Sequence, residues 1–364
     1  MMFAQGPFRH ARLPALVACL LLPLASAAGA PRPLAVAPAQ VDPALAPVAL
    51  GFDRWLETSL RSAGREVIAL PAAGTAALGA AAQRGAAQAL LPRLREESGR
   101  VELRLSVYEA ATGDLIASSR AEAALDSLGG ACSEALAALG RSIGLSADTA
   151  PPAVSELASA TRSLELASQG HLFGAWRAVQ GKLTPVAMRE RETIVARARK
   201  AGDSESERAR VLSASGDPVA AWALVGGDAQ RALAGGSPDA SLLLAAAEIQ
   251  LSLGHADVAQ RYLTAVQPHA SNSVDVQIAV ARSRLAQGDR AGARAAARRA
   301  AELAADDPLP AELLIEIDAD QPAQLAADWL DAGTRAARRL DPELARRQWQ
   351  RAAELDAKLA PTTA

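Results

Sequence analysis

The first third of the chain switches between two hydrophobic periods. Leu34-Ala35-Val36-Ala37 before Pro38 is an apolar run of the length of a buried strand. Phe52, Leu56 and Leu60 recur every fourth residue, which places them on one face of a helix ended by Gly64. Val67-Ile68-Ala69-Leu70, stopped by Pro71, reads as a second strand, and an alanine-rich helix to about Arg84, closed by Gly85, follows. Val101, Leu103, Leu105 and Val107 alternate with Glu102, Arg104, Ser106 and Tyr108, the period of a half-buried strand. Thr112-Gly113-Asp114 supplies turn chemistry, and Leu115 to Ser119 returns as the hairpin partner. Leu128, Cys132, Leu136, Leu139 and Ile143 share one face of a closing helix. With one further strand between Gly85 and Pro92, the order is β-α-β-α-β-β-β-α over residues 31–145, a two- or three-layer α/β domain with an antiparallel hairpin.

Residues 146–152, with two adjacent prolines and small polar neighbours, read as a linker, and residues 153–360 carry only helical patterning. A glycine that ends one helix and an alanine five residues later inside the next recur as Gly170/Ala175, Gly216/Ala221, Gly254/Ala259 and Gly288/Ala293. The glycine permits a sharp interhelical turn, and the alanine lets two helices approach closely. The last two copies stand 34 residues apart, while the earlier spacings of 46 and 38 imply insertions or degeneracy. A final helical hairpin is expected, its last helix begun by Asp341-Pro342 and packed through Trp349 and Ala352. Arg335, Arg338, Arg339, Arg346, Arg347 and Arg351 there read either as a basic partner surface or as a solvated outer face interleaved with Glu343 and Glu354. The fold expected is therefore a two-domain α+β/α chain, a small α/β domain followed by an all-α repeat array.

Composition narrows the function. Half the residues are apolar but only 3% are aromatic, which favours many small-residue helix contacts over one large aromatic core. The five tryptophans, at 55, 176, 222, 329 and 349, all fall in helical segments and read first as core. A net charge of −2 gives no basic field for nucleic acid. Arg9, His10 and Arg12 before the apolar stretch Leu13 to Leu24, then Ala25-Ser26-Ala27, have the form of a signal peptide over residues 1–27. Leu16-Val17-Ala18-Cys19 also matches a lipobox, so Cys19 is a lipidation candidate, although the apolar run continues past it. Cleavage would leave Cys132 as a lone thiol, read as a small buried hydrophobe.

No nucleophile elbow, phosphate loop, dinucleotide turn or metal-spaced His/Cys set occurs, and no cofactor or metal is expected. His171 and His255 follow turn glycines, Glu96-Glu97 reads as surface charge, and Asp306-Asp307 reads as an interhelical turn. A carboxylate pair distant in sequence stays open as an acid/base alternative.

Two resemblances follow from particular residues. Residues 31–145 resemble the TolB amino-terminal-type domain, shared with FlgO-like envelope proteins. The opening Ala35-Val36-Ala37-Pro38, the third strand Gly85-Ala86-Ala87-Gln88-Ala89-Leu90-Leu91-Pro92, and above all the hairpin from Val107 through Ala111-Thr112-Gly113 to Ser118 carry it. Ala87 and Pro92 depart from that family's acidic residue and glycine, and Pro92 predicts an edge strand or a bulge. Leu253-Gly254-His255-Ala256-Asp257-Val258-Ala259 and Gln287-Gly288-Asp289-Arg290-Ala291-Gly292-Ala293 resemble tetratricopeptide repeats. Together they imply a periplasmic or secreted, non-catalytic cell-envelope scaffold that binds protein partners through its repeats. Membrane attachment, as an outer-membrane lipoprotein, enters only through Cys19. The alternatives are an envelope or cell-wall enzyme with an unrecognised acid/base pair, or a regulatory or sensory module.

Overall fold

The computed structural model describes residues 33–145, 151–182, 184–235, 239–305, 307–319, 322–338 and 342–355. The leader at 1–27, Cys19, Asp306, Arg339 and Asp341 lie outside them. The molecule is mixed α/β, with a small amino-terminal mixed sheet followed by many helices.

The amino-terminal region runs β1 (Leu34–Val36), β2 (Gln40–Val41), α1 (Ala46–Ser62), β3 (Val67–Ala69), α2 (Ala76–Gln83), β4 (Gln88–Glu97), β5 (Arg100–Glu109), β6 (Leu115–Ala124) and α3 (Leu128–Ile143). Spatial order is β3-β1-β4-β5-β6, with β2 pairing β4 beyond the end of β1. Pairs among β1, β2, β3 and β4 are parallel; β4/β5 and β5/β6 are antiparallel. The β4–β5 hairpin turns through Ser98 (φ 54°) and Gly99 (φ 76°), the left-handed pair of a tight two-residue loop.

Pro92 does not make β4 an edge or a bulge: β4 is central and pairs without interruption along β5. The carbonyls of Leu90 and Leu94 accept from Ala37 and Asp42, so alternate residues of β4 face β1 and β2. Pro92 shares their parity. Its missing N–H therefore points at the gap between β1 and β2, where no ladder bond is lost.

The two faces of the sheet differ. Val101, Leu103, Leu105 and Val107 of β5 pack with Leu34, Leu90 and Leu94 beneath α1 and α3, around Phe52, Leu56, Leu60, Leu136 and Leu139. The other face is an alanine layer under α2, built from Ala35, Ala77, Ala81, Ala89 and Ala110. Beyond α2, Glu102, Arg104, Arg120 and Glu122 leave that face open and polar.

Among the described residues twelve helices follow: α4 (Val154–Ser168), α5 (Leu172–Val179), α6 (Pro185–Ala198), α7 (Glu205–Ala214), α8 (Pro218–Gly235), α9 (Ala240–Ser252), α10 (Ala256–Ala270), α11 (Val274–Ala286), α12 (Arg290–Leu303), α13 (Pro308–Ile317), α14 (Pro322–Arg338) and α15 (Pro342–Leu355). They pack as hairpins α4/α5, α7/α8, α9/α10 and α11/α12, then α13 on α14 and α15 closing on α14. The 46-residue spacing from Gly170 to Gly216 has a cause: α6 is inserted between α5 and α7, so that stretch holds three helices where Gly254 to Gly288 holds two.

Residues 151–153 do not separate independent halves. Val154, Leu157, Ala160 of α4 and Val186 of α6 belong to the leucine core under the sheet. Gly51 of α1 packs so closely on α4 that a Cβ there would lie 1.9 Å from the Leu157 carbonyl oxygen; a Cβ on Gly129 would lie 1.8 Å from that of Pro152. The Gly51 N–H donates to Thr161 Oγ1 at 2.8 Å, and Arg54 of α1 pairs with Glu190 of α6. Of the linker expected at 146–152, residues 146–150 lie outside the described residues; Pro151 and Pro152 lead into a helix docked backbone to backbone, and α4 serves both regions.

No helix among the described residues is long and apolar enough to cross a membrane.

Candidate functional site: the recess of the helical array

Each of the four sequence pairs lies where one helix passes into the next. Gly170, Gly216, Gly254 and Gly288 have φ of 85°, 97°, 81° and 80°. Nothing lies within 4 Å of a Cβ added at any of them, so backbone conformation, and not space, demands glycine at these turns. Ala175, Ala221, Ala259 and Ala293 have no exposed surface. Ala259 and Ala293 join Ala246, Ala247, Ala279, Ala297 and Ala300 in one core cluster, the small-residue contact on which hairpin stacking depends. These eight residues form the frame of the array.

What the frame presents is a recess of about 470 Å³ lined by α5, α7, α9, α11 and α13. Its floor carries Leu251, Leu285, Leu309 and Ala279; exposed Arg282 and Glu316 stand at its wall, as do the small side chains of Ala214 and Ala286.

Beside the floor, an ion network joins five helices. Arg210 Nε and Nη2 donate to the two carboxylate oxygens of Glu248 at 2.6 and 2.9 Å, and Nη2 also donates to Asp275 Oδ2 at 2.7 Å. Its guanidinium lies 3.9 Å above the Phe173 ring, which stacks on Trp176 with centroids 6.3 Å apart. Arg177 donates to Asp275 Oδ1 at 2.7 Å and to Asp307 Oδ2 at 2.8 Å, tying α5 to the starts of α11 and α13. Burial works against the charge on Arg210, but Glu248 and Asp275 outweigh it and hold the guanidinium protonated. Burial likewise acts to raise Asp275, and the two arginines outweigh it and hold the carboxyl below its ordinary range.

A second polar cluster lies near the carboxyl end. Asp318, with no exposed surface, accepts from Arg294 Nε at 2.7 and 2.9 Å and also from its Nη2. Asp328 of α14 is buried beside it, and its Oδ2 has no partner among the described residues. Burial first, then the neighbouring Asp318, pushes the Asp328 carboxyl up to about 7, against the opposing pull of Arg298 and Arg294. Neither aspartate lines the recess.

Other sequence candidates resolve individually. Arg335 is not part of a basic surface: it is buried, pairs with Asp331 at 2.7 Å and caps the end of α12 through the Ala304 carbonyl at 2.7 Å. Arg338, Arg346, Arg347 and Arg351 are exposed, and Arg351 pairs with Glu354 at 2.8 Å. The Asp307 carboxylate serves the ion network as well as capping α13 through the Leu309 N–H. Cys132 is buried, and burial pushes its thiol up to about 12, far from a reactive thiolate. The His255 ring bonds to Gln250 at 2.9 Å, while His171 and His269 are exposed. Trp55 and Trp176 are buried; Trp222, Trp329 and Trp349 are half-buried, with Trp222 edge-on to Tyr262. Among the described residues no group of three or more His, Cys, Asp or Glu side chains is placed to hold a metal ion.

Sequence reasoning missed the Arg210 network and the Asp318–Asp328 pair. Their members are dozens of residues apart or lie on separate helices, and only the stacking register brings them together. The one local hint was arginine within otherwise apolar helical faces, as at Arg177 beside Trp176. The sequence matches no protein-family model and no curated protein.

Proposed function

We propose that this chain is an exported, non-catalytic scaffold of the cell envelope, whose helical repeats hold a segment of a partner protein in the recess while the sheet region contacts other envelope components. The observation that carries this reading is the recess itself. It gathers side chains from five alternate helices, α5, α7, α9, α11 and α13, with an apolar floor of Leu251, Leu285 and Leu309 and charge of both signs at Arg282 and Glu316. Such a surface suits an extended segment of mixed character, fixed by a few apolar anchors and oriented by charge at the rim. Arg177 and Arg210 are already neutralised by Glu248, Asp275 and Asp307. Their role is to keep the recess open and rigid. The TolB-type and tetratricopeptide resemblances, with the leader over residues 1–27, point to the same class of role and to the periplasm.

The test fills the recess without disturbing the core. Ala214 and Ala286 are exposed on its wall, so Ala214→Trp with Ala286→Trp should leave folding intact and occupy the space. The unmodified chain should retain a specific protein from envelope extracts, and the filled variant should lose it by at least tenfold. Equal retention by both chains would place partner binding elsewhere and remove the recess as its site.

A further inference from the structure

Among the described residues the sheet ends in a long, unpaired edge. β6 bonds to β5 on one side, and no other backbone hydrogen bond reaches residues 115–124 among those described. The opposite edge, β3, is only three residues long. A long exposed edge is a template for another strand, and proteins commonly shorten, cover or kink such edges or load them with charge. β6 has ten residues, no proline, and an irregularity only where its first residues meet Val107 and Tyr108. It also begins with two of the most exposed large apolar side chains, Leu115 at 53% and Ile116 at 46%.

The charges on this edge select its occupant. Arg120 and Glu122 are exposed on the open face of the sheet and carry opposite sign two residues apart. Two antiparallel copies of β6 related by a twofold axis at Ala121 would set Arg120 against Glu122 of the second copy, and Glu122 against its Arg120. Moving the axis by one residue sets Arg120 against Arg120 or Glu122 against Glu122, which like-charge repulsion disfavours. In the chosen register Ser118 meets Ala124 and Ser119 meets Ala123, so no bulky side chain obstructs the approach. Inside one chain the β5/β6 register sets Arg104 opposite Arg120 and Glu102 opposite Glu122, and the ion pairs run along the diagonals: Arg120 lies 3.2 Å from Glu102, and Arg100 lies 2.7 Å from Glu122. The twofold pairing would set opposite charges directly across the new seam, which the β5/β6 seam does not do. An axis normal to the sheet keeps α1 and α3 of both copies on one face, as an isologous contact requires.

We propose that a second copy of this chain pairs with the β6 edge, Arg120 against Glu122 in both directions, to give one continuous sheet across a twofold dimer. Light scattering on the full chain after size-exclusion chromatography should report twice the mass of one chain, falling to one on dilution. Arg120→Glu or Glu122→Arg alone should each weaken the dimer at least tenfold, with the far-UV spectrum unchanged. The exchange carrying both substitutions should restore it, which separates charge pairing from any loss of folding by a single variant. A monomer at every concentration overturns the proposal. So does a dimer indifferent to either charge, or a single-variant loss that the exchange does not rescue. Protection of the β6 amides that appears only when envelope extract is added would assign the edge to a foreign strand, and would equally overturn pairing with a second copy.

Discussion

Two of the cores that hold this molecule are built on different plans. Under the sheet, Phe52 and a group of leucines at 34, 56, 60, 90, 94, 103, 105 and 136 fill one continuous space. In the middle of the helical array alanines, among them Ala246, Ala247, Ala259, Ala279, Ala293, Ala297 and Ala300, share the corresponding space with larger side chains such as Leu243, Leu263, Ile278 and Leu314. A buried leucine or phenylalanine contributes about 1.5–3 kcal/mol by leaving water, whereas alanine removes far less surface. The sheet region is therefore stabilised mainly by volume buried. The array depends on closeness of approach, on alanine's high helix propensity, and on ties such as the Arg210 network that cross from hairpin to hairpin.

The contrast can be broken at either end. Phe52→Ala should be the most damaging change, costing about 3–5 kcal/mol through the cavity it leaves. Because α4 shares that core, denaturant unfolding should lose the sheet and α4 together, and hydrogen exchange on α4 should accelerate with that of α1. A variant that loosens only α1 would mean that α4 is not held by the leucine core. Next, Ala293→Leu should cost about 1–3 kcal/mol by overpacking a site with no exposed surface. Its exchange footprint should be confined to the helices around residues 254–310 and should spare the sheet. If Ala293→Leu melts like the unmodified chain, the alanine core has slack and the distinction between the cores fails.

The smallest expected effect uses one buried carboxyl from each region. Burial pushes both Asp53, which accepts from the Ala39 N–H at 2.9 Å, and Asp328 up to about 7, against an ordinary value of 3.8. The folded chain therefore holds a proton that the unfolded chain has released, and stability falls as pH rises from about 4 to about 7. Asp203 and Asp275 are shifted the other way, so their contribution is lost only below that window. Melting temperature should be higher at pH 5.5 than at pH 8. Asp328→Asn should flatten the profile by roughly 1 kcal/mol, or about 2–4 °C, because opening of the terminal hairpin relieves part of the burial cost. Asp53→Asn should flatten it through the sheet region instead. A profile unchanged in both variants would show that neither proton is retained on folding.

The two regions were also unequally legible. Strand and helix periods located β1, β3, β5, β6, α1 and α3, because one buried face imposes a strict rhythm on an element. β2 has two residues and no apolar run; it exists only because β4 extends past β1. Pro92 was read as a mark of an edge because parity relative to two broken neighbours is a property of the assembled sheet. In the array the glycine and alanine positions were visible, since turn conformation and close contact restrict residue type locally. The inserted α6 could be sensed only as irregular spacing, and Arg335, read with a surface stripe, is buried on the carbonyl end of α12. The docking of α4 left its trace in Gly51, a glycine in the middle of a helix. Without the partner helix its purpose could not be read.

That glycine has a mechanical consequence. At Gly51 and Gly129 main chain rests on main chain, and the Arg54–Glu190 pair and the Thr161 hydrogen bond pin α1 to the helices beyond. A junction of this kind has no swivel. A pull applied to the helical array would be delivered to the sheet as shear across α1 and α4, so the chain would act as a rigid bracket and not as a tether.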